Sequence, residues 1–457
     1  MLTPLNAAEL SELVRSTTAA GEALALHSGN SLSALGHPPH GDRPHHSLSL
    51  AGFDTIIAYE PDELVLTVGP GIPMAEVKSL LATRGQHLAF EPPDWGPLYG
   101  QPAGIGTLGG TLGAALAGSR RVTAGGARDH MLGFHAINGR GENFKAGGRV
   151  VKNVTGYDLP KLVTGAFGTL VALTEVTVKV VPAPETVETL MLPRLGPALA
   201  TKLMSQALGS PHDVGSAAYL PASVARDLIP GTSDSATMIR LEGFAPSVAA
   251  RAAALTMELG VTVERLGAAV SHRLWQALSD AAPLVGLHED CLWRISVAPT
   301  EGAAILEAVQ TARPLATGWL DWGGGLLWLA LPPQPSEADG GAAFLRGLVK
   351  DGHATLIRAP ERVRARVPVF QPMPPALAAL ARRLKASFDP HAVFNPSRFR
   401  SLRRCRPISA SPNWPKPPFK MPTRFCAPAC IAASARRPAR PICCSATSWI
   451  ARAGASI

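Results

Sequence analysis

At 457 residues, 46% hydrophobic and 17% charged, the chain is long enough for two or three domains and has the composition of a soluble globular protein. The formal charge of +9 invites a nucleic-acid or membrane-surface reading, but ten of the 43 Lys/Arg and none of the 34 Asp/Glu lie beyond residue 400. That leaves 33 basic against 34 acidic residues before it, so the body is close to neutral and its charge carries no such reading.

Met1 to Leu13 holds Glu9 and Glu12 with no basic flank and no long apolar run. Neither a signal peptide nor a spanning helix is expected there, and the cytoplasm is the default compartment. Cys291 is the single cysteine of the body, which reads as a reduced, disulfide-free enzyme. Glu22 to His27 is a short apolar run broken by Ser28-Gly29-Asn30-Ser31, a strand entering a tight loop. Small residues with free backbone N–H groups let a phosphate approach closely, although an ordinary turn has the same pattern. His37 to His46 holds four histidines among Pro and Gly, and is read as a solvated loop because nothing fixes a metal geometry. No metal site is expected.

Asp62 to Gly71 is a β-rich run closed by a turn, and Met74 to Arg84 has helical spacing stopped by Gly85. The densest glycine stretch runs from Gly104 to Gly118, and Gly104-Ile105-Gly106-Thr107-Leu108-Gly109 matches G-x-G-x-x-G, with Asp129 twenty residues on. A dinucleotide fold is nevertheless rejected, because the motif must follow a buried strand and Pro92 to Pro102 cannot supply one. The stretch is read instead as a loop and short helix that brings backbone close to a planar or phosphorylated ligand. Lys152 to Leu159 and Lys161 to Leu170 are rich in Gly, Thr and Asn, and Val171 to Val181 alternates as a strand.

Residues 401–457 are rich in Arg, Pro, Ala, Ser and Cys and lack apolar periodicity. A basic interaction tail and a Cys-rich metal module both compete here, but the adjacent Cys443 and Cys444 and the missing C-x-x-C pairs argue against zinc. A third reading is out-of-frame translation. Shifted by one nucleotide, Ala429, Ala432, Ala435 and Ala439 can each become TGC and Arg440 can become CCG, which gives C-x-x-C-x-x-C-x-x-x-C-P. That run is an iron–sulfur ligand pattern, and it would belong to an adjacent ferredoxin-like gene.

Taken in order, the body resembles flavoproteins of the vanillyl-alcohol oxidase type, with a PCMH-type FAD-binding domain, and above all the FAD-binding subunits of bacterial glycolate oxidases. The likeness is carried by His27 to Gly36, Glu91-Pro92-Pro93, Thr107 to Gly118, Arg128-Asp129, Leu132-Gly133 and Lys152 to Thr177. Later it is carried by Leu292 to Ser296, Asp321 to Gly324, Gly352 to Thr355 and Phe394-Asn395-Pro396. The resemblance implies an α+β fold: a two-subdomain FAD-binding domain over residues 1–182, a smaller α+β cap over 183–400, and the tail over 401–457. It implies that Ser28, Gly29, Asn30 and Ser31 hold the pyrophosphate. Thr107, Gly109, Gly110 and Gly118 would line a second flavin loop. Gly165, Gly168 and Thr169 would lie beneath the cofactor, and Asn395 would reach it from the cap side.

The implied activity is FAD-dependent oxidation of a 2-hydroxy acid, glycolate to glyoxylate, with electrons passed to an iron–sulfur subunit. The partners would be that subunit and a second flavoprotein subunit, and any membrane contact would be peripheral, at the inner face of the cytoplasmic membrane. Arg294 is the candidate fork for the substrate carboxylate and His353 the candidate proton acceptor. FAD is expected to bind non-covalently. Catalytic relatives carry an H-x-G-D-G-N type segment in the cap, and none occurs between Ala183 and Arg400. Two alternatives therefore stay open: a self-sufficient, D-lactate-like dehydrogenase, and a non-catalytic scaffold subunit of the same complex.

Overall fold

The computed structural model describes residues 1–37, 43–149, 156–334, 337–396 and 398. The Lys152 to Thr155 segment, part of the histidine-rich loop and the whole tail from 401 lie outside the described residues.

Helix α1 (Ala7–Ala19) is capped by Asn6, whose side chain accepts from Glu9 N, and buries Leu10 and Val14. Strands β1 (Ala23–His27) and β2 (His45–Ser49) pair in parallel. Five further strands of the N-terminal half are β3 (Ile56–Glu60), β4 (Val65–Val68), β5 (Met131–Asn138), β6 (Asn143–Gly147) and β7 (Val171–Lys179). They form one antiparallel sheet in the order β3-β4-β7-β5-β6. The Val, Thr and Phe content of these runs suits a half-buried pleated surface. Helix α2 (Met74–Ala82) lays Met74, Val77 and Leu81 on that sheet's core, and Gly85 (φ +60) ends the turn that follows it. Helix α3 (Leu108–Gly113) is short and follows no strand, as the rejection of a dinucleotide fold requires.

The C-terminal half is built on eight strands: β8 (Thr186–Pro193), β9 (Val214–Leu220), β10 (Ala236–Gly243), β11 (Glu264–Leu266), β12 (Cys291–Val297), β13 (Thr317–Asp321), β14 (Leu326–Leu331) and β15 (Gly352–Arg358). Their order is β11-β8-β10-β9-β13-β14-β12-β15, every pair antiparallel. One face packs on α4 (Pro197–Gly209), α5 (Ala245–Leu259) and α6 (Pro299–Ala312). The other face carries Trp319, Trp328, Leu292 and Ala218, and it packs on Leu35, Trp95, Leu98 and Leu116 of the N-terminal half. The functional question is therefore about this second face, where the two halves meet.

The chain then returns to the N-terminal half. Helix α7 (Pro375–Phe388) is followed by Val393 and Phe394, which are fully buried with Leu10, Val14, Leu24 and Leu48. Phe394 forms a parallel bridge with Leu24, Asn395 N donates to Leu24 O (2.9 Å), and Gly139 N donates to Phe388 O (2.9 Å). The placement of this last segment in the cap is thus corrected: hydrophobic burial against α1 and β1 draws it back.

Candidate functional site

Two loops meet at the C-terminal end of β1. An ideal Cβ on Gly29 would lie 1.6 Å from Ile105 O, and one on Gly106 would lie 3.7 Å from Ser31 Oγ. Only glycine permits the first approach. Asn30 takes φ +62, the left-handed conformation that Asn tolerates best among residues with a side chain. The N–H groups of Ser28, Gly29, Asn30 and Ser31, and those of Ile105, Gly106 and Thr107, meet no acceptor among the described residues. The carbonyls just beyond are tied down: Arg398 donates to Leu32 O (3.0 Å) and Ser33 O (3.3 Å), and Arg364 donates to Ala34 O (2.8 Å). Two adjacent runs of unpaired N–H groups form a concavity suited to an anion.

Helix α3 opens on Thr107, whose hydroxyl accepts from Gly110 N (3.1 Å). Its first N–H groups are already taken, Leu108 N by Ile72 O (3.1 Å) and Gly109 N by Pro70 O (2.8 Å). The glycines of this segment therefore differ in kind. A Cβ on Gly109 would lie 2.5 Å from Pro70 Cβ, and one on Gly118 would lie 2.4 Å from Ser279 Oγ and 2.8 Å from Glu91 O, so both are packing positions. A Cβ on Gly113 would meet nothing within 4 Å, and one on Gly110 would meet only Thr107 Oγ1 at 3.3 Å. These two leave open space beside the helix.

Residues 165–169 lie against this helix through Gly165 N to Leu112 O (3.0 Å) and Phe167 N to Gly113 O (2.8 Å). Gly165 and Gly168 take φ +81 and +62. Thr169 is buried, its hydroxyl donates to Ala166 O (2.6 Å), and its carbonyl accepts from the Lys385 ammonium. Asn395 joins the pieces: its Oδ1 accepts from Leu26 N (2.7 Å) and its Nδ2 donates to Phe167 O (2.7 Å). It approaches from the N-terminal half, which corrects the expected approach from the cap, and it clamps the 165–169 turn to β1.

At the seam between the halves, Glu91 accepts from Arg240 Nη1 (2.6 Å) and Nη2 (3.0 Å) and from Arg120 N (3.1 Å). Burial raises the Glu91 carboxyl, but Arg240 and Arg120 outweigh burial and hold it below its ordinary range. Arg120 also donates to Glu242 Oε1 (2.5 Å) and contacts His87 Nδ1 (2.8 Å). Burial, with Arg120 next, lowers His87 to about 4. This network locks Glu91 to the cap sheet and carries no free charge.

Asp321 is buried, and its oxygens accept from Ser119 Oγ (2.7 Å) and Trp322 N (2.7 Å). Burial pushes its carboxyl up to about 6. Arg294 on β12 faces the same seam, with its guanidinium carbon 4.8 Å from the Trp322 ring centre. Its Nε is fully buried without a partner, and burial followed by the charge of Arg121 lowers it to about 9. His353 pairs in register with Ser296 while Arg294 pairs with Thr355, so His353 and Arg294 sit diagonally on one face. Burial lowers the His353 imidazole from its usual value, partly offset by Asp351. Trp322 enters the sequence reading only as a carrier of the resemblance, and Arg121 not at all, since a doubled arginine after Ser119 carries no signal until the cap is folded over it. Among the described residues no group of three His, Cys, Asp or Glu is placed to hold a metal.

The donor set fits FAD: seven unpaired N–H groups beside a glycine-opened helix face match a pyrophosphate with a flat group next to it. Comparison with known proteins agrees. Residues 1–147 match the family model described as an FAD binding domain. The chain is 32% identical over 376 residues to the glycolate oxidase subunit GlcE of Escherichia coli K12, covering 82% of this chain and 92% of that protein. It is 33% identical over 139 residues to the glycolate oxidase subunit GlcD of Bacillus subtilis 168, covering 30% and 28% respectively. In fold it is similar to p-cresol methylhydroxylase, with a TM-score of 0.64 at 14% identity over 88% of each chain. Likeness over nearly the whole of one relative, together with the FAD-domain match, places the chain in the family of the glycolate oxidase subunit GlcE, FAD-binding proteins of the PCMH-type fold.

Proposed function

We propose that the chain is the FAD-binding subunit of a glycolate oxidase complex that oxidises glycolate to glyoxylate and passes electrons to an iron–sulfur subunit. The observation that carries this is the paired loops of unpaired N–H groups, lying inside the segment that matches the FAD-domain model in a GlcE-like chain. Residues 1–182 would hold the cofactor together with the returning segment, and 183–374 would form the cap. When bound, FAD supplies hydride acceptance and one-electron release.

In this reading Ser28, Gly29, Asn30 and Ser31 bind the pyrophosphate through main-chain N–H groups, and Thr107 fixes the opposing loop. Gly110 gives the flat part of the cofactor room. Gly109 and Gly118 set the path of the chain, Gly165, Gly168 and Thr169 form the turn beneath, and Asn395 clamps that turn. Arg294 would orient a substrate carboxylate, and His353, kept largely neutral at pH 7 by burial, would accept a proton. The buried Arg294 guanidinium, which makes no direct ion pair among the described residues, favours substrate binding by this chain over a purely scaffolding role. A second flavoprotein subunit and peripheral association with the cytoplasmic membrane complete the proposal. No helix among the described residues is long and apolar enough to cross a membrane. Anaerobic mixing of the purified full chain with glycolate tests it. Flavin bleaching by the lone chain would assign the oxidation to it, bleaching only with a GlcD-like partner would assign it to the complex, and a colourless chain would refute the proposal.

A further inference from the structure

Trp322 is a strained residue held in place by both halves. It takes φ +53, a conformation unfavourable for a bulky side chain, and it is 8% exposed. Its N–H is held by Asp321 and its indole Nε1 donates to Gly118 O (3.1 Å). Two guanidinium groups lie over its ring, Arg121 of the N-terminal half at 4.6 Å and Arg294 of the cap at 4.8 Å from the ring centre. Neither has an ion pair or a side-chain hydrogen bond among the described residues.

The acids nearest to them are engaged elsewhere. Asp321 has its oxygens on Ser119 Oγ and Trp322 N, and Asp129 accepts from Gly126 N (2.9 Å). Burial lowers both arginines from their usual values; the charge of Arg121 lowers Arg294 further, and Asp129 and Asp321 offset the effect only in part at Arg121 and Arg294 respectively. Two buried cations with no direct ion pair among the described residues are costly in a folded protein, and an anion shared by them reduces the cost.

We propose that Arg121 and Arg294, steadied by Trp322, jointly bind the carboxylate of a small monocarboxylic acid at the seam between the two halves. The fork geometry of guanidinium suits a carboxylate. The neighbouring Asp321 carboxyl selects a monoanion over a phosphate dianion by charge repulsion. The site draws one cation from each half, so it exists only where the two halves meet. The inference rests on the proposed function for its substrate class, while the site itself is defined by this chain's residues.

The test uses the purified full chain loaded with FAD, titrated calorimetrically with acetate, glycolate and inorganic phosphate. Acetate and glycolate should bind, phosphate should bind more weakly, and Arg121→Gln and Arg294→Gln should each weaken glycolate binding about tenfold to a hundredfold. Arg265→Gln, at an exposed pair with Glu188, should leave it unchanged. A second measurement on the unaltered chain covers the case in which a variant does not fold: glycolate should protect Arg121 and Arg294 from phenylglyoxal, read by mass spectrometry. A yellow protein whose two arginines are not protected, or whose variants bind glycolate normally, overturns the site while leaving the flavin assignment intact. Variants that lose FAD instead of glycolate affinity also overturn it, because the arginines would then serve the cofactor. A colourless chain refutes the flavin reading itself, and is distinguishable from both.

Discussion

Replacing Gly29 by alanine perturbs the cofactor loop at its tightest point. The added methyl would start 1.6 Å from Ile105 O, whereas a carbon and a carbonyl oxygen ordinarily stay about 3.3 Å apart, so the two loops must separate by about 1.7 Å. A shift of that size takes N–H donors on the 28–31 loop out of hydrogen-bonding range of a fixed phosphate. Bonds to a charged acceptor contribute about 1.5–3 kcal/mol each, so losing two weakens FAD by about a hundredfold to ten-thousandfold. Gly29 does not sit in the left-handed region, so no backbone strain is added to this clash. Quenching of flavin fluorescence during titration of the apoprotein gives the affinity, and a thermal melt without FAD reports on folding. Gly209→Ala, at the last position of α4 in open space, serves as the control for cofactor binding and should leave FAD affinity unchanged. A Gly29→Ala protein that binds FAD as tightly as the unaltered chain would refute the reasoning, because the loop contact would then not govern the phosphate site.

Gly113→Ala should act in opposite directions on the two readouts, raising apoprotein stability by about 0.5–1 kcal/mol through helix propensity while weakening FAD, as measured by melting and titration. Glu91→Ala should lower the melting temperature sharply, since it leaves buried Arg240 with only the longer contact to Glu242 (3.6 Å), at a cost of up to about 3–5 kcal/mol. Asp321 has a folded-state value of about 6, above its unfolded value, so its contribution to stability is present in acid and is lost as pH rises through about 6. Melts from pH 4 to 8 should show the unaltered chain losing stability relative to Asp321→Asn up to about pH 6 and running parallel to it above, and curves parallel throughout would contradict the assignment. Out-of-frame translation of the tail predicts a T ending the codons before Ala429, Ala432, Ala435 and Ala439. Coding DNA without those bases refutes it.

Much of the fold was readable because short-range rules decide it. The run into Ser28 ends as β1, Gly85 stops the turn after α2, and the proline-rich stretch before Gly104 supplies no strand. The loop at 28–31 was legible for the same reason, since Gly and Asn mark tight backbone. The sequence could not distinguish glycines that leave open space, Gly110 and Gly113, from those pressed against protein, Gly109 and Gly118. That distinction depends on what lies opposite. Asn395 was assigned to the wrong side because its position in the chain says nothing about the return of Phe394 to β1. Arg121 meets Trp322 and Arg294 meets it from the other half only because the two halves pack together, so no spacing rule connects the three.

The central claim is that the 28–31 and 105–107 loops of this chain hold FAD. The most direct measurement is the visible absorption of the purified full chain, with the released cofactor quantified per chain. A flavin spectrum with one FAD per chain, lost in Gly29→Ala, is the predicted result. A folded chain that is colourless and takes up no FAD on titration would contradict it.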